Sequence, residues 1–547
     1  MSIHPFSPTG RIQALDSMKE ESFDLLIIGG GITGSGIARD AILRGLNVAL
    51  IEKEDFGYGT SSRSSKLVHG GVRYLETGNI RLVKESATER KVLKHIAPHL
   101  IHPLNFIIPV FQGDSLIKYR AGFILFDRLA KSTKKEKHKK LSATEVKKHL
   151  PHLRGPVKSG LIYGEYITED ARFTVMNARS AAEHGAKIAN HVKATGFRFN
   201  NHDSVIGITA KNTLTGDTFK IDAKITINAT GPWAENILTK NNLSAPESLL
   251  LSKGIHLVFP AEKLAVTDAV LLNTPDGKSG FAIRRWDFVY VGTTDIIYEE
   301  KIDQPESDEQ AIQHLLELVK ISFPSAHIEK EDIIGTWAGL RPLIKQEGKS
   351  TRDTPRDDEI WKIKEGLFTI AGGKLTTYRK MADRVLKKVS KDMPHKLNDN
   401  SRTKEVILPG GDIDEDYDNY KKEMTSKFKQ LGLPSKTIER LAWLYGSANL
   451  ELINYGKKDD KWLEELAPGI PAIKGEVKLA VEKEMALTLT DFIDRRSSLL
   501  LFENEHGQKA INEIAMIMSN LLGWDELEKE SQILSHTKNA RKVLVKQ

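Results

Sequence analysis

Three glycines near the start of the chain form a pattern suited to binding a dinucleotide. Gly29, Gly31 and Gly34 have the spacing G-x-G-x-x-G, and the acidic residue Glu52 follows about twenty residues later. The first glycine allows a tight turn, the second lets the backbone approach a pyrophosphate, and the third lets a helix pack closely against a strand. The helix N-terminus attracts the pyrophosphate, and Glu52 can accept hydrogen bonds from ribose hydroxyls. We therefore predict a dinucleotide-binding turn rather than a glycine-rich turn without a ligand.

The segments around this motif have the order strand, turn, helix, strand. Residues 24–28 and 48–51 are short apolar runs typical of buried parallel strands, and residues 32–44 carry small and apolar residues at helical spacing. Two later segments, 224–231 and 367–373, also run from an apolar strand into a glycine turn. We therefore predict an α/β fold with a Rossmann-like domain built from separated segments.

The rest of the chain divides by pattern. Residues from about 250 to 350 alternate β-rich runs with turns, which indicates an inserted antiparallel sheet. Beyond about residue 400, long charged segments have helical apolar spacing, as in the stripe of Ile511, Ile514, Ala515, Met518 and Leu522. The predicted parts are an N-terminal extension (1–22), a large α/β domain (23–395, with cofactor-binding segments of about 23–110, 160–250 and 350–395 and a substrate-cap sheet of about 250–350) and a C-terminal α-helical domain (396–547).

Composition excludes several kinds of chemistry. The chain has 547 residues, of which 40% are hydrophobic and 28% charged, and it contains no cysteine. Disulfides, thiolate catalysis, cysteine-ligated zinc and iron–sulfur clusters are therefore excluded, and we predict no metal site. Redox chemistry in this chain would need an organic cofactor.

The charge balance and hydropathy bear on partners. The net charge is +7, which suits an anionic substrate or an anionic membrane face, and nothing in the sequence indicates nucleic-acid binding. The first twenty residues have no apolar segment, so we expect no signal peptide, and the apolar runs 25–28 and 123–126 are too short to span a bilayer. A basic run at 131–140 follows the apolar and basic segment 116–126. Two interpretations stay open, a solvated loop or an interfacial element on anionic lipid.

A set of motifs carries a family resemblance. Residues 60–76, TSSRSSKLVHGGVRYLE, resemble the flavin-contacting loop of FAD-dependent glycerol-3-phosphate dehydrogenases, in the D-amino-acid-oxidase-like group of flavoproteins. Further motifs of this family follow in the same order at 169–172, 228–233, 253–256, 292–295, 339–342 and 372–379.

The resemblance implies FAD as the cofactor, bound without a covalent link. The positions that match the cofactor site are Asp24, Gly29, Gly31, Ile32, Thr33, Gly34, Glu52, Lys53, Thr60, Ser61, Ser62, Ser64, Lys66, Leu67, His69, Gly70, Val192, Ala229, Thr230, Gly231, Gly372, Gly373, Lys374, Leu375 and Thr376. The positions that match the substrate site are Arg73, Tyr74, His256, Arg341 and Lys374.

A glycerol phosphate is a small dianion with an alcohol to be oxidised, so its site needs cations and a proton acceptor. The planar fork of arginine suits phosphate oxygens, which makes Arg341 the first choice for the phosphate clamp and Arg73 the second. For the proton acceptor, His256 has a suitable intrinsic pKa, whereas Lys374 would need its pKa lowered by neighbouring cations or burial. The sequence leaves this choice open.

The resemblance implies oxidation of sn-glycerol 3-phosphate to dihydroxyacetone phosphate by hydride transfer to FAD, with electrons passed to a membrane quinone. It also implies a cytoplasmic location, peripheral contact with the inner face of the cell membrane, and a homodimer as one quaternary state to test. Three alternatives stay open: a glycerol-3-phosphate oxidase that uses oxygen, an amine or amino-acid oxidase of the same fold, and a flavin-binding module without catalysis.

Overall fold

The structure is a computed structural model that describes residues 3–71, 80–134, 136–303, 305–346, 348, 357–393, 397–398, 400–414 and 416–545. Its β-strands are β1 (Ser22–Ile28), β2 (Val48–Ile51), β3 (Leu67–Val68), β4 (Ile101–Phe111), β5 (Lys139–Ser142), β6 (Val157–Thr168), β7 (Lys187–Ala189), β8 (Val192–Phe199), β9 (Val205–Asn212), β10 (Thr218–Asn228), β11 (Leu249–Pro260), β12 (Ala269–Asn273), β13 (Ser279–Arg285), β14 (Phe288–Gly292), β15 (Ile296–Ile297), β16 (Gly335–Ile344), β17 (Asp358–Lys364) and β18 (Leu367–Gly372). Its α-helices are α1 (Pro8–Glu20), α2 (Ile32–Leu43), α3 (Ile80–Ile96), α4 (Leu116–Ala130), α5 (Ala143–His149), α6 (Asp170–Glu183), α7 (Ala234–Thr239), α8 (Ala261–Leu264), α9 (Glu309–Ser322), α10 (Tyr378–Val389), α11 (Tyr417–Gln430), α12 (Ser435–Tyr445), α13 (Asn449–Lys458), α14 (Lys474–Glu484), α15 (Ile511–Leu522) and α16 (Glu526–Ala540).

The first sheet has the strand order β17-β18-β10-β1-β2-β7, with β9 paired to β10 and β8 paired to β9. Strand β1 runs parallel to both β2 and β10, and β18 runs parallel to β10. Every residue of β2 is buried, as expected for a parallel strand covered on both faces. The carboxyl ends of β1, β2, β10 and β18 therefore meet at one edge of the sheet, where open α/β sheets bind ligands.

The second sheet has the order β15-β11-β14-β13-β12-β4-β6-β3, with β16 joined to β11 and β5 to β6. Most pairs are antiparallel, but β12 runs parallel to β4. Helix α9 packs on this sheet through an apolar face that includes Leu315 and Val319.

The second sheet extends beyond the predicted cap segment of about 250–350. Strands β4 and β6, which we assigned to cofactor-binding segments, pair with each other from Ile101 opposite Thr168 to Phe111 opposite Val157, and β4 joins the cap through β12. The reason is that the apolar pattern of a strand shows that the strand is buried, but it does not show which sheet the strand belongs to. The cap sheet therefore contains strands that precede β10 in the sequence as well as strands that follow it.

Helices α11 to α16 form the C-terminal α-helical part, which packs against the second sheet. Ile514 and Met518 of α15 lie in one core with Phe106 and Trp337 of the sheet, which confirms the predicted apolar stripe. At the other end of the chain, the predicted N-terminal extension contains α1, whose residues Leu15 and Met18 lie in a core with Phe23 of β1. Within the described ranges, no helix is long and apolar enough to cross a membrane.

Candidate functional site

A cavity of about 510 Å³ lies where the ends of the parallel strands face the second sheet. It brings together most of the residues predicted from the sequence. These are Gly29, Gly31, Ile32, Thr33, Glu52, Lys53, Thr60, Ser61, Ser64, Leu67, His69, Val192, Ala229, Thr230, Gly231, His256, Arg341, Gly372, Gly373, Lys374, Leu375 and Thr376.

The glycine turn has the geometry that its spacing predicts. Gly29 has φ +108°, and a Cβ atom there would lie 2.7 Å from the carbonyl oxygen of Ala229. A side chain at Gly34 would overlap the carbonyl oxygen of Gly29, so α2 passes directly against the turn. At Gly31 the atom closest to an added Cβ is the Ser61 hydroxyl oxygen at 3.2 Å, and the residue lines the cavity. The backbone at Gly31 is therefore open to a ligand at the N-terminus of α2.

The end of β2 supplies a buried carboxylate. Glu52 accepts a hydrogen bond from the Gly30 N–H at 2.6 Å, and burial raises the pKa of its carboxyl group. Each carboxylate oxygen accepts more than one hydrogen bond, so Glu52 can hold this turn and also accept from a ligand. Beside it, the Val192 N–H donates to the Glu52 carbonyl at 2.7 Å. Lys53 pairs with Asp303 at 2.5 Å across the cavity rim.

The serine loop connects the two sheets. The Thr60 hydroxyl donates to the Leu340 carbonyl of β16 at 2.6 Å. The Ser61 hydroxyl oxygen accepts from the Ile32 N–H at 2.9 Å, so it caps the N-terminus of α2 while lining the cavity. The loop is thereby fixed against both the glycine turn and the cap.

Other members of this loop bond to residues of the protein interior, although Ser64 also lines the cavity. The Ser64 hydroxyl and the Lys66 ammonium both bind the carboxylate of Asp170, at 2.7 and 2.6 Å. Ser62 is buried, and its hydroxyl oxygen accepts from Arg63 at 3.0 Å. Ser62 and Lys66 are absent from the cavity wall, because these internal bonds hold them behind the loop. The structure therefore does not support our prediction that they contact the cofactor directly.

A second strand–turn–helix unit faces the same cavity. β18 ends in Gly372 and Gly373, with φ +79° and +84°, values that glycine adopts without strain. Leu375 then begins a short 3₁₀ turn that leads into α10. Backbone N–H groups at such a helix start favour negative charge, which suits them to the reduced flavin ring.

Gly70 lies behind the part of the cavity wall that contains His69. Its N–H donates to the buried Glu165 carboxylate at 2.8 Å, and Arg90 donates to the same oxygen at 2.9 Å. A Cβ atom at Gly70 would lie 2.6 Å from the ring of Phe126, so only glycine fits against α4. Gly70 supports the wall on which its neighbour His69 is exposed to the cavity.

His256 is held in a fixed orientation in the cavity wall. Its imidazole stacks on Trp337 with ring centroids 4.5 Å apart, and its Nε2 lies 2.9 Å from the Ser65 hydroxyl oxygen. Burial, then the positive charges of Arg341 and Lys66, hold the pKa of His256 well below its usual value. The imidazole is therefore neutral near pH 7.

Arg341 reaches the cavity from β16. Its guanidinium donates to the Thr293 hydroxyl at 2.8 Å and to the Thr294 carbonyl at 3.1 Å. A Cβ atom at Gly254 would overlap the guanidinium, so the glycine leaves room for it on β11. Lys374 lines the same cavity from the turn after β18.

Besides Ser62 and Lys66, three further predicted residues fall outside this arrangement. Asp24 lies near the start of β1, away from the carboxyl end that forms the cavity. Its carboxylate instead accepts from the Asn47 N–H at 3.0 Å and pairs with Lys224 at 2.8 Å, so our assignment of Asp24 to the cofactor site is not supported. Arg73 and Tyr74 lie outside the described residues.

Sequence reasoning missed a buried segment of the C-terminal part, Asp491–Arg496. Its contacts are Asp494 with Arg63 (2.7 Å), Asp491 with His191 (3.0 Å), and both Arg495 and Arg496 with Asp55 (2.6 Å each). Each partner adjoins a predicted cofactor position, since Arg63 belongs to the serine loop, His191 precedes Val192, and Asp55 follows Glu52. This one segment therefore holds in place three stretches of chain that contribute residues to the cavity wall. The two acidic and two basic residues of its sequence, DFIDRR, were the available sequence signal.

Comparisons with known proteins agree with this geometry. Residues 24–378 match the family described as FAD dependent oxidoreductase, and residues 401–529 match the C-terminal domain of alpha-glycerophosphate oxidase. The chain is 36% identical to the aerobic glycerol-3-phosphate dehydrogenase of Bacillus subtilis, over 100% of this chain and 98% of that protein. The chain belongs to the aerobic glycerol-3-phosphate dehydrogenase family. A relative from Staphylococcus saprophyticus is also 36% identical, over 95% of each chain.

Solved structures give the same result. The glycerol-3-phosphate dehydrogenase from Bacillus halodurans, complexed with FAD, is 33% identical with a TM-score of 0.83, over 98% of each chain. The L-alpha-glycerophosphate oxidase from Mycoplasma pneumoniae has a TM-score of 0.51 at 18% identity and shares the fold. The predicted family and fold class are therefore confirmed.

The chain is an FAD-dependent oxidoreductase. The residues present fit this cofactor, because an open glycine backbone, a helix N-terminus and a buried carboxylate lie in one cavity, as a dinucleotide requires. The turn after β18 adds backbone donors at the other end, where the flavin ring would be held.

Proposed function

We propose that this protein oxidises sn-glycerol 3-phosphate at its C2 hydroxyl to dihydroxyacetone phosphate and passes the electrons to a membrane quinone. The proposal rests mainly on one observation, that Arg341, Lys374 and the neutral imidazole of His256 line the same cavity as the dinucleotide-binding turn. The names of the relatives support the same substrate.

Each of these residues has a separate task. The Arg341 fork, oriented by Thr293 and Thr294, would bind phosphate oxygens bidentately, and Lys374 would add a second positive charge. His256 would take up the hydroxyl proton as the C2 hydrogen leaves. FAD, when bound, supplies the two-electron acceptor for that hydride.

An anaerobic reduction experiment tests the substrate. Purified protein carrying FAD should lose its flavin absorbance when glycerol 3-phosphate is added, and glycerol should reduce it far more slowly. Glycine and proline serve as amine substrates. Bleaching by an amine but not by glycerol 3-phosphate would overturn the proposal, and bleaching by neither would favour a flavin-binding module.

Reoxidation of the reduced protein tests the acceptor. We expect a soluble quinone analogue to restore the flavin absorbance rapidly and dissolved oxygen to restore it slowly. Rapid reoxidation by oxygen alone would identify an oxidase instead.

The exposed residues of helix α4 support the proposal that the protein contacts the inner face of the cell membrane. It exposes Ile117, Ile124 and Leu125 (82, 52 and 43%), while Phe123 and Phe126 on its other face are buried. Exposed lysines of the basic run follow the helix at Lys131, Lys134, Lys137, Lys139 and Lys140. Lys135, in the same run, lies outside the described residues. Apolar side chains beside lysines suit an anionic lipid surface, which would recruit the protein from the cytoplasm as a peripheral protein.

Vesicle binding tests this contact. Ile124→Asn should weaken binding to vesicles containing anionic phosphatidylglycerol, and salt should weaken binding of the parent. Ile12→Asn is the matched control, because Ile12 is similarly exposed (57%) on α1. Equal loss in both variants would argue against α4 as the contact. The homodimer stays a prediction that sedimentation in solution would test.

A further inference from the structure

Ser65 and His256 lie side by side in the wall of the cavity. Its hydroxyl oxygen lies 2.9 Å from Nε2 of His256, although the two residues are 191 positions apart in the chain. His256 is only 2% exposed, whereas Ser65 is half-buried and lines the cavity. Nε2 of the nearly buried imidazole is therefore within hydrogen-bonding distance of a hydroxyl that is more exposed than the ring itself.

The position of Ser65 is fixed by its own backbone. The Tyr290 hydroxyl donates to the Ser65 carbonyl at 3.0 Å, and the Trp337 indole N–H donates to the Ser64 carbonyl at 3.3 Å. Trp337 is also the ring on which His256 stacks. The same aromatic residue thus holds both members of the pair, as expected where two groups must keep hydrogen-bonding distance.

We propose that Ser65 is a catalytic residue that relays the substrate's proton to His256. This inference rests on the proposed oxidation of glycerol 3-phosphate. In the step, the C2–H bond breaks and its hydrogen leaves with both electrons as hydride to FAD. The O–H bond also breaks, and its electrons form the second bond of the ketone. The released proton binds the Ser65 oxygen while the Ser65 proton passes to Nε2 of His256, and the imidazolium later returns it to solvent.

The surroundings of the imidazole suit this task. The relay needs the His256 lone pair on Nε2, with the ring's own proton on Nδ1. Nδ1 is buried, and no hydrogen-bond partner within the described chain fixes which ring nitrogen carries the proton. The charged groups that act on the imidazole are Arg341 and Lys66, both positive, so the proton it gains is readily lost again after turnover.

Ser65→Ala removes the relay while leaving the imidazole in place. The rate of anaerobic flavin reduction by saturating glycerol 3-phosphate should fall about ten- to hundred-fold, at or below the lower limit of about a hundred-fold for general acid–base catalysis, because water can partly replace the hydroxyl. The substrate concentration that gives half the maximal rate should change little, because the phosphate clamp is untouched. Ser65→Thr keeps a hydroxyl and should recover much of the rate.

Ser159→Ala is the matched control. Ser159 is equally small, buried in β6, and its hydroxyl has no hydrogen-bond partner in the described part of the chain. This variant should reduce its flavin at the parent rate. A loss as large as that of Ser65→Ala would show that general loosening causes both, and would overturn the relay.

Two further measurements separate a relay from a purely structural role. In the parent, the reduction rate should be constant near pH 7 and fall in acid as His256 becomes protonated, and Ser65→Ala should lose this acid limb. In a double-mutant cycle with His256→Gln, the second substitution should add little to the first, because both remove one relay. An unchanged acid limb, or losses that multiply fully, would overturn the proposal.

The outcomes distinguish this inference from the proposed function. If glycerol 3-phosphate fails to bleach the parent's flavin, the proposed function fails. If the parent bleaches and Ser65→Ala bleaches within about threefold of its rate, only the relay is wrong. FAD content and the visible spectrum of each variant are compared first, so that misfolded protein is not counted.

Discussion

Replacement of Arg341 by alanine is the most direct test of the phosphate clamp. Its guanidinium is 18% exposed at the cavity, and contacts with Thr293 and Thr294 set its direction. A hydrogen bond to a charged group contributes about 1.5–3 kcal/mol. Loss of that contact in the transition state corresponds to roughly a ten- to hundred-fold lower kcat/KM for glycerol 3-phosphate.

Arg341→Lys sharpens the test. Lysine keeps the positive charge but cannot donate to two phosphate oxygens as a planar fork, and it cannot keep both threonine contacts. We expect it to recover only part of the loss. Glycerol has no phosphate, so its slower oxidation should change much less in either variant.

The assay is flavin reduction and steady-state turnover with a quinone analogue, on protein with confirmed FAD content. Arg198→Ala is the control, because Arg198 is similarly exposed (23%) but pairs with Asp222 in the first sheet, away from the cavity. Equal losses for glycerol 3-phosphate and glycerol would refute the clamp and leave Arg341 with a structural role.

Three other predictions concern the cofactor walls. Gly31→Val should fold but retain no FAD, because the added side chain enters the cavity, whereas Gly34→Val should fail to fold, as a circular dichroism melt would show. Asp494→Asn should weaken FAD affinity about tenfold by loosening Arg63, a reasonable size for one charged hydrogen bond, and FAD titration showing unchanged affinity would contradict this. The pKa of His191 is raised above 6.5, chiefly by Asp491 against the opposing effect of burial, so this pair stabilises the fold fully below pH 6.5 and less as pH rises through the raised value. The difference in melting temperature between the parent and His191→Gln should therefore shrink with rising pH, and a constant difference would contradict it.

Much of the cofactor site could be predicted because its parts are local. The bend at Gly29, the open backbone at Gly31 and the contact at Gly34 depend on a few consecutive residues, whose φ values and close approaches restrict the side chain to hydrogen. The apolar runs of β1 and β2 likewise record burial on both faces. Family motifs then located His256, Arg341 and Lys374, which the cavity does bring together.

Other features needed the tertiary structure, because they join parts of the chain that no local pattern connects. The sequence could not show that β4 and β6 belong to the second sheet, since periodicity reports burial and not the covering partner. It did not reveal that Asp24 holds the far end of β1 or that Lys66 binds Asp170. Arg63 meets Asp494 across 431 positions of sequence, and Ser65 meets His256 across 191. Such contacts depend on how whole helices and strands pack against one another. The residue types show only that two side chains are able to form a bond if packing brings them together.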